Sequence, residues 1–458
     1  MSNIGELRSA RQSAPTVVAN GSGAAPHLIL VAYAVAPGPG GPEGIVNARL
    51  LRALADHWPA GVSVISAGGP PDPAGGECLS KRSGWLFHIS DGSIKGLRNR
   101  QSLVYRCVNR AIWELTGEGL KGQCWMRFAA RALETELDAH PDAVVYSRAL
   151  PYTSIDAVRR VRSKRSFRWI VNINDPLPPD IWPGQYGFEA KTCESMRRSM
   201  RGSMNHVDAF TFPCAQLCDM EAKEFNGLGR RPTAILPHLP GSSAELNGAG
   251  NASTRLNIAY AGSMGRGRVR PEFVAAMTEF ARREPELADR LHLSFYLNHP
   301  NRFALEFIRN LPVSTSVAVG LPHDECDAAL RSADVLLDIA ADVDAPLLMT
   351  KMATYVGLSR PVWAVCHRGG TSWNLVQRGW GYASDTTSVE NICATLRQIL
   401  ADWTAGTLGA RRPPREVVER FTAERHIADL LALCQYIAIP VLRRNAAEKP
   451  GCLRTNWP

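Results

Sequence analysis

The first apolar run of the chain, LILVAYA at Leu28–Ala34, is continuous rather than alternating, the pattern of a strand buried on both faces of a parallel sheet. It ends in the loop PGPGGPEG (Pro37–Gly44). VNARLLRALADHW then carries apolar residues at helical spacing, and VSVIS (Val62–Ser66) is a second strand. Strand, glycine-rich loop, helix and strand make a βαβ unit whose loop lies at the carboxyl end of the strand. Residues 81–138 read as a helical, basic stretch. Further strands are expected at DAVVYS (Asp142–Ser147), RWIVNIND (Arg168–Asp175), DAFTFP (Asp208–Pro213) and TAILPHL (Thr233–Leu239), with helices between them. Positions 241–254, GSSAELNGAGNAST, have nothing to bury. Beyond them the alternation restarts through LNIAYAG, LHLSFYL, VAVG, DVLLDIA, PVWAV and a strand near GYA. The expected fold is α/β, with two Rossmann-like doubly wound domains facing a cleft. The divisions are a disordered leader 1–26, a first domain 27–240, a linker 241–254, a second domain 255–435 and a basic tail 436–458.

Composition narrows the classes without choosing among them. In 458 residues, 45% are hydrophobic and 21% charged, which suits globular domains and excludes a disordered or collagen-like chain. The 52 Lys and Arg exceed the 43 Asp and Glu, a formal charge of +9 that favours anionic partners. Nucleic acid is not expected, because the charge is spread along the chain rather than concentrated. The 11 cysteines are scattered and mostly sit in apolar stretches, as reduced thiols do in a cytoplasmic protein. Cys214 and Cys218 have no second pair nearby to complete a zinc site, so no metal is expected. No apolar run reaches the roughly 18 residues of a membrane span. Lys81, Arg82, Lys95, Arg98, Arg100, Arg106 and Arg110 lie among Trp85, Trp113 and Trp125. The segment 81–131 is therefore either a basic surface for peripheral membrane contact or core tryptophans beneath a solvated face.

The chemistry is expected in AGSMGRGRVRP, which follows LNIAYA directly. Gly262, Gly265 and Gly267 let the backbone approach a ligand, and Arg266, Arg268 and Arg270 add charge that can grip phosphates. The spacing is not that of a dinucleotide fingerprint. In TKMATYVGLSRP, Lys351 opens a helix with Tyr355 four residues on. A cation at a helix start needs a partner, either a carboxylate of Asp342-Val-Asp344 or a ligand's phosphate.

These segments resemble nucleotide-sugar glycosyltransferases of GT-B architecture, above all the retaining group acting on bacterial surface polysaccharides and glycoconjugates. The likeness rests on the strand ending AGS with an arginine six residues past its glycine, on VGLPHDECDAALRSADVLLDI, and on K-x-x-x-Y-x-x-x-x-R-P. It extends to PGPGGPEG, SRALPYTS and WIVNINDPLPP in the first domain. The resemblance implies transfer of a sugar from a UDP- or GDP-linked donor, without a metal or further cofactor, to a saccharide or lipid-linked acceptor. It places Arg268 and Lys351 on the donor diphosphate, with Gly262, Ser263, Arg266, Thr354 and Tyr355 around the nucleotide. Gly40, Gly41 and Glu43 approach the sugar or acceptor, and Asp175 faces the cleft. Thr354 stands where the family most often carries a ribose-binding glutamate, and Pro346 where it often has a second carboxylate. A catalytically silent relative and an epimerase or hydrolase of the same fold are the other readings.

Overall fold

The computed structural model describes residues 25–35, 41–67, 85–89, 103–149, 151–181, 190–241, 254–299 and 301–439. The leader to residue 24, Gly40, most of the linker and the tail from 440 lie outside them, as do 81–84 and 90–102 of the basic stretch. Two parallel sheets organise the rest. The first contains β1 (Leu28–Val31), β2 (Val62–Ser66), β3 (Trp85–Ile89), β4 (Val144–Arg148), β5 (Arg168–Asn172), β6 (Ala209–Phe212) and β7 (Thr233–Ile235). Its order is β3-β2-β1-β4-β5-β6-β7. The second contains β8 (Leu256–Gly262), β9 (Leu291–Leu297), β10 (Ser314–Val319), β11 (Val335–Ile339), β12 (Val362–Cys366) and β13 (Tyr382–Asp385), in the order β10-β9-β8-β11-β12-β13. In each sheet the order reverses beside the first strand, between β1 and β4 and between β8 and β11. Such a switch point opens a crevice at the carboxyl ends of the strands.

The continuous apolar runs are explained by two-sided burial. On β1, Leu28 and Leu30 pack with Leu50 and Leu54 of α1 (Gly41–His57). Ile29 and Val31 turn the other way, towards Trp125 and Leu133. β8 repeats the arrangement, with Ile258 and Tyr260 in one core beside Phe273, and Ala259 and Ala261 in another with Met352 and Tyr355.

Two expectations need correction. Within the stretch read as helical, Trp85–Ile89 is a strand paired in parallel with β2, from Val62↔Trp85 to Ser66↔Ile89. WLFHI is rich in aromatic and branched residues, and it supplies hydrogen-bond partners to a strand that would otherwise be an open edge. The basic residues around it masked that signal. The helices α2 (Leu103–Thr116) and α3 (Leu120–Ala139) follow as expected.

The second correction concerns the last helix, Ala423–Ala438, assigned from sequence largely to the second domain. It crosses back to the first, where Ile427, Leu430, Leu433, Cys434 and Ile437 share a core with Leu50, Leu54 and Ala234. His426 Nδ1 lies 3.0 Å from Pro237 O and helps fix the crossing. Each fully buried leucine contributes about 1.5–3 kcal/mol, enough to hold the helix there. Other contacts join the domains directly. Cys214 Sγ donates to Pro346 O at 3.2 Å, Gln216 Nε2 to Gly369 O at 2.6 Å, and Thr371 Oγ1 to Gln216 Oε1 at 2.9 Å.

Every described cysteine is a free thiol. No described helix is long and apolar enough to cross a membrane.

Candidate active site

The second domain builds its half of the site at the ends of β8 and β11. Gly262 ends β8 with φ of 119°, a left-handed conformation that favours glycine, although a Cβ would meet nothing there. The turn continues through exposed Ser263 into a short 3₁₀ segment, Arg266–Arg268, before the helix Pro271–Arg283 begins. The Ser263 carbonyl accepts from Tyr260 Oη at 2.8 Å and from Arg268 Nη1 at 3.1 Å, so the turn is held from inside. Two arginines of this turn, Arg268 and Arg270, are not free. Arg268 Nε lies 2.9 Å from Asp344 Oδ2, and Arg270 Nη2 lies 2.6 Å from Asp342 Oδ1. Arg266 stands in the turn, but its side chain is outside the described residues.

Lys351 has a different partner from those expected. Its Nζ is 2.6 Å from Asp338 Oδ1 on β11, donates to Ile339 O at 3.3 Å, and sits 4.6 Å above the Tyr260 ring. Asp338 is fully buried and also accepts from Ser372 Oγ at 3.0 Å. Burial pulls the Lys351 pKa down, but Asp338 and Tyr260 outweigh it and hold the ammonium above its ordinary value. Sequence reasoning missed Asp338. The available signal was a lone carboxylate near the carboxyl end of the apolar run DVLLDIA.

The first domain presents a second cluster at the carboxyl ends of β4 and β5. Arg148, the last residue of β4, is 3% exposed, and its Nε lies 3.4 Å from Glu43 Oε1 in the first turn of α1. Asn174 Nδ2 donates to the same carboxylate, at 3.0 Å to Oε2. Among the described residues, Arg148 Nη2 is buried without a partner. Glu43 thus completes a buried polar network, with Gly41 opening the helix above it. Arg148 was not singled out from sequence, although a charged residue directly ending a buried strand was the sign. Beside it, the partly buried Asp175 has its pKa raised from 3.8 to about 7, chiefly by burial and then by Glu43 and Asp344, with Arg148 opposing. Asp344 belongs to the second domain. The two halves therefore face one another closely enough for their charges to interact.

Two predicted nucleotide contacts are corrected. Tyr355 is fully buried, accepts from Ala261 N–H at 2.9 Å and donates to Leu337 O at 3.2 Å, which ties its helix to β8 and β11. It is a core residue, because both hydrogen-bonding capacities of its hydroxyl are used inside the domain. Tyr355→Phe is expected to cost ~1–3 kcal/mol by stranding that buried N–H. Urea unfolding measures the cost, and nucleotide affinity should stay unchanged. Thr354 is nearly buried, donates to Thr350 O at 3.4 Å, and accepts at 3.4 Å from Arg49 Nη1 of α1. Its hydroxyl is turned to the interdomain contact rather than held open as a ribose clamp.

No protein-family model matches the sequence, and no curated protein matches it either. Solved structures of similar fold span nearly the whole chain. An α,α-trehalose-phosphate synthase (UDP-forming) from Burkholderia xenovorans, in complex with glucose-6-phosphate, is 14% identical with a TM-score of 0.57, covering 89% of this chain and 100% of its own. A sucrose-phosphate synthase from Thermosynechococcus elongatus is 14% identical with a TM-score of 0.55, covering 92% and 99%. The Anabaena protein HepE, in complex with UDP-glucose, is 10% identical with a TM-score of 0.56, covering 90% and 98%. The chain has the fold of these proteins, two Rossmann-like domains in the GT-B arrangement.

Proposed function

We propose that the protein is a glycosyltransferase that moves a sugar from a UDP- or GDP-linked donor to a saccharide or glycolipid acceptor. The observation that carries this reading is the convergence of Arg268 and Lys351 beside Tyr260, at the switch point of the second sheet. Asp175 of the first domain lies near enough to Asp344, the partner of Arg268, for the two carboxylates to repel. A departing nucleoside diphosphate needs stabilisation of charge that grows as the sugar–oxygen bond breaks, and two fixed cations supply it without a metal. The proteins that share this fold add support, since they include a UDP-forming synthase and a UDP-glucose complex. Retention of anomeric configuration is part of the proposal, on the sequence resemblance alone.

For the acceptor, α2 is relevant. Its Leu103, Val104 and Leu115 are 74%, 72% and 83% exposed, and the exposed Arg106 and Arg110 lie on the same helix. That combination suits a peripheral contact with an anionic membrane carrying a glycolipid acceptor.

Thermal-shift titration of the purified protein with nucleoside diphosphates tests the proposal. At least one of them should raise the unfolding midpoint by a few degrees. Arg268→Ala should weaken that ligand ~10–100-fold, the scale of losing one charge-assisted contact. Absence of stabilisation by every nucleoside diphosphate tried would reject the proposal. A catalytically silent relative is the second reading. It is favoured by the pairing of Arg268, Arg270 and Lys351 with carboxylates and by the engagement of Thr354 with Arg49. Binding without turnover across a panel of acceptors would select it.

A further inference from the structure

At the end of the first sheet opposite the cleft, three side chains with metal-ligating atoms converge. His27 immediately precedes β1, Glu136 lies in the last turn of α3, and His140 follows that helix as its cap. One potential ligand atom from each lies within 4.8 Å of the other two. Glu136 and His140 are four residues apart, so the helix presents both on one face. The backbone N–H of His140 donates to Glu136 O at 2.8 Å, which fixes the geometry of that last turn. From the sheet, His27 Nε2 is 2.8 Å from Ser63 Oγ, and Ser63 donates in turn to the buried Glu136 carboxylate. The two imidazoles lie face to face, with centroids 3.6 Å apart and planes 9° from parallel.

We propose that His27, Glu136 and His140 bind a divalent transition-metal ion, zinc by the character of the donors. Two imidazole nitrogens and one carboxylate oxygen match zinc, whereas magnesium and calcium call for oxygen ligands throughout. A tetrahedral ion with bonds of about 2.0–2.1 Å spaces its ligand atoms roughly 3.4 Å apart. The cluster closes to that spacing if the half-buried rings tilt out of their stack, with Ser63 or a water in the fourth position. The ion would staple the start of β1 to the end of α3, elements distant in sequence that flank the same core. The strand ends involved are opposite those of the cleft, so the ion acts on stability and takes no part in sugar transfer.

The test uses the full chain stripped with a chelator and then titrated with Zn²⁺ or Co²⁺. Expected are about one ion bound per chain, visible d–d bands of a tetrahedral cobalt site, and an unfolding midpoint raised by a few degrees. His27→Gln and His140→Gln should each weaken the ion at least ~10-fold, while a Cys214→Ser/Cys218→Ser variant keeps it. His140 is partly exposed at a helix end, so His140→Gln decides the matter even if the His27 variant fails to fold. Failure of the wild-type chain to bind either ion would overturn the proposal, as would undiminished binding in His140→Gln.

Discussion

Lys351→Met is expected to abolish stabilisation by nucleoside diphosphates and also to cost about 3–5 kcal/mol of folding stability, the usual penalty for breaking one side of a buried ion pair. Asp338 is fully buried, and its remaining described contact is the Ser372 hydroxyl, so removing the ammonium leaves a carboxylate in the core with no countercharge. The contact with the Tyr260 ring is lost as well. These two effects can be separated. In Lys351→Met/Asp338→Leu the stranded charge is gone, and urea unfolding should show most of the stability restored, because a buried pair replaced by apolar groups is often neutral. Nucleotide binding should remain absent, because the cation proposed to meet the diphosphate is still missing. A double variant that regained both stability and nucleotide binding would assign Lys351 to the core alone. If Lys351→Met lost neither, the pair would be neither buried in solution nor part of the nucleotide site.

The same residues show what was legible in the sequence. Continuous apolar runs gave the strands, and the polar break after Gly241 separated two α/β units. Arg268 was marked by the glycine turn that follows the run LNIAYA, and Lys351 by its place at a helix start in K-x-x-x-Y-x-x-x-x-R-P. The sequence does not display pairing across long separations. Asp338 meets Lys351, Asp344 meets Arg268, and Arg148 meets Glu43 over 105 positions, each fixed only when strands and loops assemble. Tyr355 misled for a related reason. Its place in K-x-x-x-Y put it beside a ligand, yet the helix turns it inward, where Ala261 and Leu337 use its hydroxyl. The last helix misled too, since an amphipathic segment states that it must be buried and not which sheet will bury it. Apolar spacing likewise could not reveal His27 and His140, which meet only through the packing of α3 on β1.

Asp175→Asn is expected to change how stability and nucleotide binding depend on pH. The Asp175 carboxyl is raised to about 7 in the folded protein, above the 3.8 of an unperturbed aspartate, so the folded chain binds its proton more readily than the unfolded chain. Its contribution is fully present below about pH 4, declines as pH rises to about 7, and is level above that. At ~1.36 kcal/mol for each pH unit between those limits, the decline amounts to a few kcal/mol. Asparagine cannot ionise, so the variant should lack that part of the slope and be the more stable protein at pH 8. Glu43 and Asp344 both act on the Asp175 carboxyl here, with Arg148 opposing, and an entering diphosphate would add negative charge beside it. Protonating Asp175 removes one of the repulsions. Wild-type affinity for a nucleoside diphosphate should therefore rise as pH falls from 8 to 6, beyond the change due to the ligand's own phosphate. In Asp175→Asn only the ligand's part should remain. Parallel stability profiles for the two proteins between pH 4 and 7.5 would contradict the raised carboxyl. Parallel binding profiles alone would move Asp175 away from the donor phosphates while leaving its burial intact.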